Sequence, residues 1–303
     1  MSAAAATGAS VERTSQPSRL RVLPRIRVLV AHREILLNMI RKELKVKYTA
    51  SVLGAIWSLL NPVVFLAVFG FVVRVTQGRF PDYPVYLLSG LLAWNLFSVS
   101  LTTGARSVID NSNLVKKVAF PHEVLPLSAI GVALVDFALQ TAVFVLFIIV
   151  SGHGFGWPQV ALYPLAFAAL LVFTLATTLW LSALNVRYRD IQHLLTLALL
   201  VWFWLTPIVY AGYLVWQTLH DRIVAGVSLW DVYLLNPLGP IVFGFQRALY
   251  GAVEPEPGQF VLPPVSIGWL AGVLAVVVVA SAAFLRFTWG RFFDLSGDFA
   301  EEL

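Results

Sequence analysis

Residues 124–150 read VLPLSAIGVALVDFALQTAVFVLFIIV, and this stretch decides the class of fold. Its one ionisable side chain is Asp136, and it carries no base. A hydrocarbon layer about 30 Å thick needs roughly 20 residues of α-helix to cross, so the stretch is long enough to span a bilayer. Further apolar runs lie at 56–76, 85–103, 161–184, 193–211 and 267–287. Over all 303 residues 59% are hydrophobic and 12% charged, against about 45–50% and about 25% in soluble domains, which excludes a water-soluble globule. The 10 Trp, 9 Tyr and 21 Phe exclude a disordered chain, because chains that stay unfolded are poor in aromatics.

The predicted fold class is therefore an all-α membrane protein. It has six transmembrane helices, an N-terminal amphipathic interface helix, and an outer-face re-entrant helical hairpin before the last span. Residues 1–34 are polar and lack the apolar core of a secretory signal, so they read as a cytoplasmic tail, ordered only in part. Residues 35–52 form the interface helix. Leu37, Ile40, Leu44 and Tyr48 recur every three or four positions, while Arg41, Lys42 and Lys45 share another face. Residues 53–290 hold the six spans, and 291–303 form a cytoplasmic C-terminal tail. The hairpin lies within 212–266, where NPLGPIVFGFQRALYG (236–251) places Pro237 and Pro240 before an apolar run too short to span.

Charge sets the orientation. With the N-terminus inside, Arg74, Arg79, Arg222 and Arg247 are the basic residues, of 21 in all, that fall on the outer side. Inner connections rich in Lys and Arg are the rule for membrane proteins, so both termini are expected in the cytoplasm. The formal charge of +5 thus reflects inner loops and not a nucleic-acid surface.

Catalytic chemistry finds little support. No phosphate-cradling G-x-x-x-x-G-K-[ST] occurs, nor a strand followed by G-x-G-x-x-G. The five histidines lack metal-ligand spacing, and with no Cys there is neither disulfide nor thiolate site. No cofactor or metal is expected in this chain. Asp136 lies deep within a span with Gln140 one turn later; a carboxylate there costs about 2.5–3.5 kcal/mol on insertion scales, so it should face protein or water. It reads either as an interhelical hydrogen-bonding group or as a coupling or lining site. The loop Asn111–Val118 is helix-competent, ends in Lys116 and Lys117, and stops before Pro121. A docking helix for another protein and a positive-inside anchor share that pattern. Trp57, Trp157, Trp216, Trp230, Trp269 and Trp289 fall near span ends, as an interfacial belt does. Trp94, Trp202 and Trp204 fall inside spans, with Phe97 beside Trp94, where they either pack helices or line a carbohydrate path.

Several stretches resemble a known family, the membrane permeases of bacterial ABC exporters for lipid-linked polysaccharides, of the O-antigen and teichoic-acid type. They are ELKVKYTASVLGAIWSLLNPV (43–63), LSGLLAWNLFS (88–98), NSNLVKKVAFPHEVLPLS (111–128), LVDF (134–137), NVRYRDI (185–191), WLTPIVY (204–210) and NPL (236–238). The resemblance covers roughly residues 30–290. It implies a homodimer in the bacterial cytoplasmic membrane, bound to two copies of an ABC ATP-binding subunit that carries the ATP and Mg. The cargo that the resemblance implies is a glycan on a polyprenyl diphosphate; the excess of Arg over Lys and the abundant Ala hint at a GC-rich, actinobacterial genome, which adds cell-wall galactan to the candidates.

By the same resemblance, Asn111, Asn113, Leu114, Val115, Lys116, Lys117, Phe120, Pro121, His122 and Glu123 form the coupling element. Arg187, Tyr188, Arg189 and Asp190 are its companion. Trp94, Phe97, Trp202, Trp204 and Tyr210 are candidates for a conduit, and Arg41, Lys42, Lys45 and Lys47 for diphosphate or interface contact. The alternative within the superfamily is a drug or small-lipid exporter.

Overall fold

The computed structural model describes residues 22–49, 56–76, 80–118, 120–154, 156–251 and 260–303. The start of the N-terminal tail, residues 50–52 of the expected interface helix and the side chains of Trp57 and Trp157 lie outside this set. Among the described residues, four helices are long and apolar enough to cross a membrane. They are α4 (Tyr83–Asp110), α6 (Val124–Ser151), α8 (Leu162–Arg187, extended by the short α7, Trp157–Val160) and α13 (Ile267–Ser296). Two further apolar helices are α3 (Ile56–Thr76) and α9 (Ile191–Leu205).

Local chemistry sets the ends. α6 stops at Gly152, whose φ of 72° closes the helix in the left-handed conformation that glycine adopts without strain. α13 starts where the Ser266 hydroxyl accepts from the Trp269 N–H at 3.1 Å. α9 stops at Leu205, short of the expected span 193–211, because Pro207 holds the residue before it out of helical geometry. The chain there turns sideways as Thr206–Ala211 before α10 (Gly212–Leu219).

The bundle is organised on α8, against which α13, α4 and α12 (Leu238–Leu249) pack; α6 packs on α4. Gly104 on α4 permits the closest approach, since a Cβ there would stand 2.2 Å from Thr178 Cγ2 of α8. α12 is buried along nearly its whole length, with Arg247 partly exposed and the buried Gln246 amide satisfied by the Pro207 carbonyl.

The segment between α9 and α13 differs from a simple helical hairpin. It contains α10, a two-stranded ribbon (β1, Ile223–Val224; β2, Val227–Ser228) turning through Ala225 and Gly226 with positive φ, then α11 (Leu229–Tyr233) and α12. The described residues are thus mostly helical with one small ribbon. Both expected tails also acquire helix: α1 (Val22–Ala31) precedes α2 (Arg33–Thr49), and α13 runs on to Ser296 before α14 (Phe299–Glu302).

Two apolar clusters divide the interior. The larger lies among α4, α6, α8, α12 and α13. The smaller joins Met39, Val115, Val186, Phe292 and Phe299 at what we call the basic end. Phe71, Val150, Val201, Val276 and Val279 remain more than half exposed, which suits surfaces that meet lipid chains.

Candidate coupling face and transport site

At the basic end the chain leaves α4 and forms α5 (Ser112–Lys117), stopped by extended Val118. Val115 turns inward to the same apolar cluster as Val186, the residue preceding Arg187. One core therefore anchors both charged segments that the sequence singled out. Asn113, Lys116 and Lys117 are exposed, as are Arg187, Tyr188, Arg189 and Asp190. Asn111, Leu114, Phe120, Pro121 and His122 are partly covered.

Glu123 is buried and accepts from the Trp289 indole N–H at 3.4 Å. Val115 and Glu123 thus hold the loop in place and contribute nothing to its exposed face. The His122 ring sits between Phe120 and Phe299. Burial pushes its imidazole below the usual range, against the opposing pull of the Glu123 charge. A histidine depressed in the folded state stabilises above its unfolded value and loses that contribution as the pH falls. The protection factors of residues 120–126, taken against the intrinsic exchange rate at each pH, should therefore fall as the pH drops below about 6.5, and His122→Asn should flatten that dependence.

The deep acid of the sequence has partners. Asp136 Oδ2 lies 2.5 Å from Lys47 Nζ, and Asp136 Oδ1 accepts from the Tyr48 hydroxyl. Both partners come from the last turn of α2, 88 and 89 residues upstream. The helices approach closely because Gly131 has no side chain: a Cβ there would meet Ile40 Cδ1 at 2.4 Å. Asp136 therefore fastens α2 to α6. Lys47, grouped by the sequence with the basic residues for diphosphate, is committed to this pair, whereas Arg41, Lys42 and Lys45 remain exposed. Arg41 reaches Asn38 at 3.4 Å and Lys42 reaches Glu43 at 3.5 Å. One turn beyond Asp136, Gln140 accepts from Asn95 of α4 at 3.1 Å.

Four of the five conduit candidates belong to one aromatic assembly. Phe97 stacks on Phe173 with ring centroids 5.5 Å apart, and Trp202 meets it edge-on at 5.2 Å. Trp94 contacts both Phe97 and Phe203, and Trp204 joins through Phe203. Such pairs are worth about 0.5–1.5 kcal/mol each beyond area burial. Phe97 is fully enclosed and Trp94 nearly so, so within the subunit neither presents a face to a passing ligand; both pack helices. Trp202 donates its indole N–H to Asn236 Oδ1 at 2.7 Å. Trp204 is 52% exposed and is the candidate with an open ring face. The Tyr210 hydroxyl donates to the Trp204 carbonyl at 2.8 Å.

A second set of residues at the opposite end was not singled out by sequence reasoning. Backbone groups freed where α9 breaks are met by side chains from α4 and α12. Tyr83 donates to Val209 O at 2.9 Å, and Tyr86 donates to Pro207 O and Tyr210 O at 3.1 and 2.7 Å. The Tyr86 oxygen also accepts from Gly212 N at 3.1 Å, while Gln246 Nε2 donates to Pro207 O at 2.8 Å. His153 bridges Asp82 and the Tyr250 carbonyl. The sequence signal was the pair of prolines Pro207 and Pro237: broken helices inside a membrane require side chains to satisfy the freed backbone.

Among the described residues no cluster of His, Cys, Asp or Glu is arranged to hold a metal. The geometry is that of a multi-pass membrane protein with an exposed charged platform at one end and a braced broken helix at the other. Residues 35–220 match the family model described as ABC-2 type transporter. The chain is 34% identical over 229 residues to the O-antigen export system permease protein RfbA of Myxococcus xanthus, covering 74% of this chain and 84% of that protein. It is 30% identical over 223 residues to the protein of the same name from Klebsiella pneumoniae, covering 72% and 85%. With the match spanning more than half of its length and falling on the elements just described, the chain belongs to the ABC-2 type transporter family.

Proposed function

We propose that this chain is the membrane permease of an ATP-driven exporter that carries a polyprenyl-diphosphate-linked polysaccharide across the cytoplasmic membrane. The glycan is of the O-antigen, teichoic-acid or cell-wall galactan kind. The observation that carries the reading is the similarity to O-antigen export permeases over nearly three quarters of the chain. In this reading two copies of the permease pair as a homodimer with two ATP-binding subunits, which hold ATP and Mg. Asn111–Glu123 and Arg187–Asp190 receive those subunits at the cytoplasmic side. Their common anchorage through Val115 and Val186 supports treating them as one docking platform.

The six-span count takes α3 and α9 as the remaining two crossings. α3, with 21 residues, is about 31 Å long. α9, with 15 residues, reaches only about 22 Å and is completed by Thr206–Ala211. The re-entrant hairpin then corresponds to α10–α12 at the outer face. A hydroxylated polymer needs such a protein path, because each polar group left unbonded in hydrocarbon costs several kcal/mol.

The test is charge reversal of the platform. Lys116→Glu with Lys117→Glu, two exposed positions with no packing role, should leave the membrane level of the protein unchanged. Export should fall by about ten-fold, the factor that roughly 1.4 kcal/mol of lost docking corresponds to. Undiminished export and undiminished co-purification of the ATP-binding subunit would remove the platform from coupling. Depletion of the permease should make a lipid-linked glycan accumulate inside cells; an unchanged glycan pool would indicate a drug or small-lipid exporter instead.

A further inference from the structure

Three cavities lie end to end along the face that α4 and α6 share, walled by α2 and α3. The first, about 560 Å³, lies at the basic end and includes Glu43, Lys47, Thr102, Arg106, Ser107 and Asp110 in its lining. The second, about 210 Å³, shares Lys47 and Val99 with the first and is lined by the amides Asn61, Asn95 and Gln140 beside Asp136. The third, about 170 Å³, shares Gln140 with the second and is otherwise apolar, with Val63, Leu91, Val143 and Phe147 in its walls. From Leu91 to Arg106 along α4 the distance is about 22 Å at 1.5 Å per residue, which exceeds one leaflet's share of an approximately 30 Å hydrocarbon layer. Together they form a groove that is charged at one end and apolar at the other, matching an amphiphile held extended.

The charges at the head end discriminate between occupants. Lys47 is already paired with Asp136. The lining of the first cavity also holds Arg106 with two carboxylates, Asp110 one turn away on α4 and Glu43 of α2, whose pair with Lys42 is exposed and long at 3.5 Å. The local pair Arg106–Asp110 is long at 3.7 Å, and both side chains are more than half exposed, so the pair is weak and its charges remain open to a ligand. A purely anionic diphosphate entering here would meet two like charges. A head carrying both a phosphate and a primary amine meets a guanidinium for the first and carboxylates for the second, with the hydroxyls of Thr102 and Ser107 within the same lining.

We propose that this groove is a binding site for a bilayer lipid with a zwitterionic phosphate-and-amine head, its phosphate on Arg106, its amine on Asp110 and Glu43, and one chain in the apolar cavity between α3 and α6. Such a lipid stands against the Lys47–Asp136 fastening and fills the space beneath the interface helix. The site is independent of which cargo the protein carries.

Native mass spectrometry of the full-length protein, delipidated in detergent and titrated in turn with phosphatidylethanolamine, phosphatidylglycerol and undecaprenyl diphosphate, tests the proposal. Phosphatidylethanolamine should be retained about three- to five-fold better than phosphatidylglycerol, the ratio a half-exposed ion pair supports. Asp110→Asn with Glu43→Gln should bring that ratio close to one, and Arg106→Ala should weaken both phospholipids. Val143→Trp should lower retention by filling the apolar cavity; if it fails to fold, Val63→Phe on the opposite wall reads the same property. Equal retention of the two phospholipids by the unaltered protein would overturn the proposal. So would a preference that survives Asp110→Asn with Glu43→Gln, or displacement of phosphatidylethanolamine by lower concentrations of undecaprenyl diphosphate, which would make the groove a site for the lipid carrier.

Discussion

Asp136→Ala is expected to loosen α2 from α6 and to lower the unfolding midpoint of the protein. The substitution leaves Lys47 and the Tyr48 hydroxyl facing a buried gap. Removing one partner of a fully buried pair costs about 3–5 kcal/mol. The Lys47 side chain is 39% exposed, so water recovers part of that loss and a cost of about 1–3 kcal/mol is expected. The sign of the companion changes separates an ionic fastening from simple packing. Lys47→Met combined with Asp136→Ala should restore much of the stability, because the two charges vanish together, whereas Lys47→Met alone strands the carboxylate. Thermal unfolding in detergent measures all four proteins. Additive losses in the double variant would show that the two side chains do not act as a pair.

Tyr86→Phe should produce the second large effect, at the opposite end of the molecule. The ring is fully buried and its oxygen holds Pro207 O, Tyr210 O and Gly212 N. Phenylalanine keeps the volume and removes all three bonds. Each buried backbone group left without a partner costs about 1–3 kcal/mol. Pro207 O retains Gln246, so the total is expected near 3 kcal/mol. The loss is local: amide exchange over residues 206–213 should accelerate while α8 and α13 stay protected. Uniform acceleration across the bundle would mean that Tyr86 serves the global core and not the break in α9.

Much of the architecture was readable from composition along the chain. The apolar runs at 85–103, 124–150, 161–184 and 267–287 all fall within helices long enough to cross a membrane, because a crossing helix must be apolar over its whole length and the signal is local. Helix α9 ends six residues before the apolar run 193–211 does: hydropathy continues through Ile208 and Val209, while helical geometry stops before Pro207. The ribbon at 223–228 was missed, since two-residue strands leave no periodic pattern. Among the aromatics, position within a span did not separate Phe97, enclosed by Phe173 and Trp202, from Trp204, half exposed. Rotation about a helix axis decides exposure, and an apolar helix carries no polar face from which to read that rotation.

The sequence by itself determined the class, a multi-pass helical membrane protein. It also located the exposed charges at Lys116, Lys117 and Arg187–Asp190, because hydrophobic length and charge position act residue by residue. Only the tertiary structure decided what the deep acid does. Asp136 was legible as a costly carboxylate needing a partner, but its partners, Lys47 and Tyr48, lie almost 90 positions away on a helix that packs across α6. Likewise, only the fold showed that Tyr86 and Gln246 brace the broken α9. Neutralising a buried charge and satisfying a freed carbonyl depend on which surfaces meet in space, and no local pattern in the chain records that.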